Sequence, residues 1–134
     1  MWSSEHSVQA DVGPQAIWQA WRTVERWPEW NGDIARIELS GPFAVGSTIA
    51  MTSHEQDTVE LRIARVEEGE LFVDEAEVAG TTLRTLHRID RLDDGRVQIV
   101  YRLEASGPAA EEIGPAVSAD FDDTLAALVE HARR

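Results

Sequence analysis

The sequence predicts an α+β fold, in which a run of antiparallel strands is closed by one long C-terminal helix and two short helices follow the first strand. Three patterns carry this reading. Between Pro108 and Arg134 apolar residues recur every three or four positions, at Ile113, Val117, Phe121, Leu125, Leu128 and Ala132, which aligns them on one face of a 3.6-residue helix. From Ile34 to Ala105 the period falls to two, interrupted by glycine-bearing turns. Between these regions and the N-terminus, Ile17, Trp18, Trp21 and Val24 return to helical spacing.

Taken in order, a first strand starts near Trp2 and closes at Val8 to Asp11, where Gly13-Pro14 breaks it. Pro14 suits the first turn of a helix, because its missing N–H is not needed there; the helix should cover residues 14–23. Trp27-Pro28-Glu29-Trp30 begins a second helical turn that Asn31-Gly32 ends. Ile34, Arg36 and Glu38 alternate with Ala35, Ile37 and Leu39 up to Gly41-Pro42. Further strands carry Ile49 and Met51, then Val59, Leu61 and Ile63, then Leu71, Val73 and Glu75 after the Glu67-Glu68-Gly69-Glu70 turn. Ala79-Gly80 turns the chain into Leu83, Thr85, His87 and Ile89. After Asp93-Asp94-Gly95 comes the cleanest alternation, Val97, Ile99, Tyr101, Leu103 and Ala105. The order is β-α-α-β-β-β-β-β-β-α. Gly114-Pro115 lies inside the last helical stretch, where an interior proline costs about 3 kcal/mol. A break there is expected, with 109–113 as a separate turn. Either Pro115 is the first residue of the true helix, or the broken segment gates a pocket mouth.

With 134 residues the chain fits one domain, 1–134, with a full core. Its net charge of −13 and the absence of lysine argue against nucleic acid, whose phosphates are held by Lys/Arg clusters. An acidic surface repels anionic membranes, and no apolar run approaches the roughly 18 residues of a bilayer span, so no membrane insertion is expected. No cysteine is present, so disulfides, thiol nucleophiles and Cys-ligated metals are excluded. The N-terminal residues lack the basic start and apolar stretch of a signal peptide, and a cytoplasmic location is the expectation. A homodimer is compatible with the sequence.

A long apolar helix face needs a sheet to cover, and a strongly curved sheet leaves space between the two. Strand alternation turns Met51, Leu61, Ile63, Val73, Leu83, Thr85, His87, Ile99, Tyr101 and Leu103 inward, and Ile113, Val117 and Phe121 close the space from the helix. Such a wall, apolar with few polar groups, suits a small hydrophobic ligand; the alternative is a filled core. Three inward polar residues are catalytic candidates. The Tyr101 phenol could donate to a bound carbonyl or be satisfied within the core. His87 could act as a base, orient a ligand or be a core histidine. Glu75, on the face of Leu71 and Val73, could be a buried acid or pair with an arginine. Four of the five tryptophans lie between Trp18 and Trp30 and pack the short helices, with Trp27 or Trp30 as the ones that could line a pocket end. The histidines show no metal-ligand spacing and there is no phosphate loop or nucleophile elbow, so neither metal nor cofactor is expected.

Four stretches resemble one known superfamily. Pro14-Gln15-Ala16-Ile17-Trp18 is similar to its opening helix, Trp27-Pro28-Glu29-Trp30-Asn31 to its WP-x-W segment, and Leu92-Asp93-Asp94-Gly95 with Val97 to its last hairpin. Glu104-Ala105-Ser106-Gly107-Pro108 resembles the approach to the final helix in a bacterial, polyketide cyclase/dehydrase-like subgroup. The superfamily is the START-like, helix-grip group also called SRPBCC. The resemblance implies a helix-grip fold, a seven-stranded curved antiparallel sheet wrapped around a long C-terminal helix, with a cavity between them. It leaves activity open, since the fold hosts lipid carriers, receptors, cyclases, co-chaperone-like proteins and dioxygenase domains. Three functions are therefore expected candidates: binding of a lipid-, aromatic- or polyketide-like molecule, a cyclase, dehydratase or aromatase in the same cavity, and a protein-interaction module.

Overall fold

The computed structural model describes residues 1–134. Seven strands form one antiparallel sheet: β1 (Trp2–Ala10), β2 (Ile34–Ser40), β3 (Thr48–Ser53), β4 (Thr58–Glu67), β5 (Leu71–Val78), β6 (Thr81–Arg91) and β7 (Val97–Ser106). Their order across the sheet is β1-β7-β6-β5-β4-β3-β2. Consecutive strands β2 to β7 are therefore neighbours, whereas β1 and β2 are opposite edges. The chain crosses between those edges through α1 (Pro14–Arg22) and a 3₁₀ turn (Val24–Glu29), which starts three residues before the expected Trp27. Pro14 occupies the helix start, as its missing N–H favours. No helix is long and apolar enough to cross a membrane.

The hairpins follow their turn chemistry. Between β5 and β6 the two-residue loop Ala79-Gly80 has φ of +53° and +75°, the left-handed pair that matches the twist of a tight hairpin. Pairing registers then fix which side chains share a row. On one face, Val66, Phe72, His87, Tyr101 and His6 are successive cross-strand partners from β4 through to β1. The next row on that face is Ile63, Asp74, Thr85, Leu103 and Ser4. A bulge between Ile63 and Arg65 keeps both rows on the same face, because an extra residue in one strand restores the parity it would otherwise lose.

The C-terminal segment departs from the expected helix. It is broken at Ala119–Asp120 rather than at Gly114-Pro115, giving α2 (Ala110–Ser118) and α3 (Phe121–Ala132). Pro115 lies inside α2. Packing holds it there: a Cβ on Gly114 would stand 2.3 Å from the Trp2 ring, so the bare glycine lets α2 lie directly on that indole. The break lets the two pieces cover different parts of the sheet, with α2 on β7, β6 and β1 and α3 on β1 and α1. The main core lies between α1, the 3₁₀ turn, α3 and one end of the sheet, and includes Ile17, Trp21, Ile63, Ile99, Leu125 and Leu128. A smaller cluster, Leu83, Leu103, Ala105 and Ala110, anchors α2. Between these two packed regions the interior stays open.

Candidate functional site

The opening is a cavity of about 840 Å³ between the inner face of the sheet and the C-terminal helices. It falls within the range of small-molecule sites, roughly 300–1,000 Å³. Met51 and Leu61 line it from β3 and β4, Leu83 and Thr85 from β6, and Ile113, Val117 and Phe121 from the helices. His87 and Tyr101 face it as well.

Four residues expected in the lining are elsewhere. Ile63 and Ile99 point to the inner face but are sealed in the main core, and Leu103 is sealed in the smaller cluster. Val73 is turned away altogether. On β5 the residues that reach the cavity are Phe72, Asp74, Ala76 and Val78, so the pleat directs Val73 and Glu75 to the other face. Glu75 is thus removed from the candidate acids. It sits between Arg62 at 2.7 Å and Arg84 at 2.5 Å on the outside of the sheet. The sequence misled here because the apolar Leu71 and Val73 share their parity with Glu75, while the inward set contains an aspartate.

That aspartate is the main residue the sequence reading missed. Asp74 is 5 % exposed, lines the cavity and has no hydrogen-bond or salt-bridge partner on its carboxyl group. Burial, with a smaller contribution from neighbouring Glu75, pushes its pKa up to about 7. Trp21 was missed too: it lines the cavity together with Trp27 and Trp30, whereas Trp18 packs in the core.

Around Asp74 the polar groups are few and oriented. The Trp21 indole N–H donates to the Tyr101 hydroxyl oxygen at 3.2 Å, which leaves the phenol proton free for a ligand. Burial, more than the Asp74 charge, raises the phenol well above its ordinary value, so Tyr101 stays neutral. His87 is stacked on Phe72 with centroids 3.9 Å apart, and its Nδ1–H lies 3.3 Å from the Phe72 carbonyl oxygen. With Nδ1 as donor, Nε2 is a lone-pair acceptor. Desolvation lowers the His87 pKa to about 3, so the ring is neutral at pH 7 and too weak a base for efficient proton abstraction there. Tyr101 and His87 meet edge to face at 4.8 Å, and Phe121 caps Tyr101 edge-on at 5.7 Å. Asp74, not His87, has the affinity for protons that suits neutral pH.

The lining also carries further acids, half-buried Asp120 at the α2–α3 break with exposed Asp33 beside it, and exposed Glu55 and Asp57 between β3 and β4. Burial and the adjacent Asp33 carboxyl push Asp120 up to about 6. No arginine lines the cavity. No three His, Asp or Glu side chains converge in an arrangement that could hold a metal ion.

Residues 1–133 match the model of the family described as "Polyketide cyclase / dehydrase and lipid transport". The chain belongs to this family. Solved structures agree on the fold. Protein MLL2253 from Mesorhizobium loti superposes with a TM-score of 0.83 at 12% identity, covering 99% of this chain and 98% of that one. Norcoclaurine synthase from Thalictrum flavum, in complex with dopamine and hydroxybenzaldehyde, gives 0.77 at 13% identity over 96% of this chain and 84% of the synthase. Ara h 8.0201 gives 0.77 at 16% identity, covering 98% and 97%. No curated protein matches the sequence. At such low identities the neighbours establish the helix-grip architecture of this family member, and its chemistry rests on its own residues.

Proposed function

We propose that this protein binds a small hydrophobic molecule, lipid-, aromatic- or polyketide-like, in the cavity between the sheet and the C-terminal helices. The observation that carries the reading is the cavity itself: about 840 Å³ of interior left open between two well-packed clusters, walled mainly by apolar side chains. Family membership supports it, because the family description joins polyketide cyclisation to lipid transport. A cytoplasmic setting fits a chain without cysteine. The interaction-module alternative has less support, since the exposed large apolar residues are only Met1, Val45 and Val117, and Val117 belongs to the cavity lining.

The test is native mass spectrometry of the purified protein against its denatured mass. A co-purifying non-covalent mass of a few hundred daltons is expected. A bare protein that also takes up no apolar probe would overturn the proposal. Leu61→Trp, which fills the cavity from β4, should abolish uptake without unfolding the protein.

One observation favours a second reading, catalysis of a cyclase or dehydratase type in the same space. Asp74 exchanges its proton near neutral pH and shares the cavity wall with the free Tyr101 phenol proton, so one group can move a proton while the other polarises a carbonyl. Under that reading Tyr101→Phe and Asp74→Asn each abolish turnover of a cyclisable polyketide mimic while affinity is retained. Full turnover in either variant would remove that residue from the chemistry.

A further inference from the structure

The charge inside the cavity is one-sided. Five carboxyl side chains line it, Asp33, Glu55, Asp57, Asp74 and Asp120, and none of them takes part in a salt bridge. No arginine lines the cavity, and several on the sheet are paired outside it: Arg62 and Arg84 hold Glu75 on the outer face, Arg102 holds Glu5 and Glu104, and Arg88 holds Asp90. The one basic group in the lining, His87, is neutral. Buried carboxylates are ordinarily paired, because leaving one unpaired costs several kcal/mol. Asp74 is 5 % exposed and faces the cavity with no partner from this chain. It either holds its proton or takes a partner from outside the chain.

Taking the hydrophobic-ligand reading as the base, we propose that the ligand is a cationic amphiphile: an apolar or aromatic body bearing a protonated amine, with the Asp74 carboxylate as its counter-ion. The body fits against Met51, Leu61, Ile113 and Val117, and the ammonium group against Asp74. Tyr101, which lines the same cavity, adds an aromatic ring that favours the same charge. The remaining carboxyls, at the α2–α3 break and between β3 and β4, extend an attractive field for a cation toward the solvent. A fatty-acid carboxylate would meet five carboxyl groups and no cation. A neutral ligand would leave Asp74 to remain protonated as a hydrogen-bond donor, and the experiment separates this outcome.

The titratable groups facing the cavity are Asp74 from β5, His87 from β6, Tyr101 from β7, Asp120 from the α2–α3 break, Asp33 ahead of β2, and Glu55 and Asp57 between β3 and β4. Asp74 and Asp120 are raised to about 7 and about 6 while His87 and Tyr101 stay neutral, so amine binding should strengthen as pH rises from about 5 to about 8.

The experiment is calorimetric titration with three matched probes: 2-(1-naphthyl)ethylamine, 2-(1-naphthyl)ethanol and 1-naphthylacetate. At about pH 8 the amine should bind at least about tenfold tighter than the alcohol, the increment of one charge-assisted hydrogen bond, with the acetate weakest. Asp74→Asn should erase the advantage of the amine and keep the affinity for the alcohol. Glu77→Gln removes one charge from the exposed face of the same strand and should leave the preference unchanged, separating a local counter-ion from the net charge of the protein. Lowering the pH to about 5.5 should shrink the preference in the wild type far more than any residual preference in Asp74→Asn. Equal binding of amine and alcohol, or an amine preference that survives Asp74→Asn, would overturn the counter-ion assignment while the hydrophobic cavity stands. Failure of all three probes, and of the neutral N-phenyl-1-naphthylamine, would overturn the cavity reading itself.

Discussion

Asp74 and Glu75 are consecutive acids on one strand, and the pleat sends them to opposite worlds. Glu75 reaches the outer face, where Arg62 and Arg84 bracket it in partly hydrated ion pairs. Asp74 reaches the inner face and finds aromatic rings, a neutral imidazole and no cation. The outer carboxylate is satisfied by the fold; the inner one is left unsatisfied by it. That contrast teaches where to look for function, because buried acids with shifted proton affinity cluster at functional sites. The inner face is also where packing is dense beside the cavity and polar groups are few, so changes there should be large. On the outer face they should be small.

The largest effect is expected from Trp21→Ala. Trp21 is fully buried at the junction of core and cavity, edge-on to Phe72 and His87, and it donates to Tyr101. Its removal should cost about 3–5 kcal/mol and leave the Tyr101 oxygen without its donor. Urea denaturation reads the loss. A cost below about 1 kcal/mol would mean that the inner face is not the rigid partner in the comparison.

Asp74→Asn should act in the opposite direction. The ordinary Asp pKa of 3.8 is raised to about 7 in the folded protein. The folded state therefore holds the proton more tightly than the unfolded state, and the stability this group contributes is present below about pH 4 and lost as pH rises through about 7. The amide removes that loss, so Asp74→Asn should be more stable than the wild type at about pH 8, on the order of 1–3 kcal/mol. His87 has the reverse sign: its ordinary 6.5 is lowered to about 3, so its contribution is lost as pH falls below about 6.5. In the wild type the two slopes oppose each other between about pH 4 and pH 6.5. In Asp74→Asn the His87 slope should emerge, with Tm rising as pH climbs through that window. A flat Tm profile that is the same in both proteins would show that neither group is buried as described.

How much of this could be read in the sequence depended on whether apolar parity and inward parity coincide. On β6 and β7 they do: Leu83, His87 and Ile89, and Val97, Ile99, Tyr101 and Leu103, are buried on the side that alternation indicates. On β5 they do not. Leu71 and Val73 suggested the odd positions, yet Phe72, Asp74 and Ala76 face inward, and an aspartate at an inward position runs against the binary pattern. Pro14 with Trp18 and Trp21 placed α1 correctly, because a proline at a helix start and tryptophans at helical spacing are local signals, whereas the second turn starts at Val24, three residues before Trp27. The C-terminal break was placed wrongly. Proline chemistry pointed to Gly114-Pro115, whereas contact between Gly114 and Trp2, 112 residues apart, keeps that segment helical. Such a long-range contact leaves no trace in local periodicity.

Glu75→Gln is the smallest change and the sharpest control. Its two arginine partners are 55% and 40% exposed at their side chains, so water and salt screen both pairs. Double-mutant measurements on such pairs typically give about 0–1 kcal/mol, and the glutamine can still accept hydrogen bonds from both guanidinium groups. Stability at about pH 8 should fall by less than about 1 kcal/mol, and the deficit should shrink in 0.5 M salt. Because Glu75 adds a little to the rise in the Asp74 pKa, its neutralisation should also lower that pKa slightly, which carbon-detected NMR titration of the Asp74 carboxyl can follow. A loss of several kcal/mol from Glu75→Gln would place the energetic weight of this strand on its outer face, and the contrast between the two acids would be reversed.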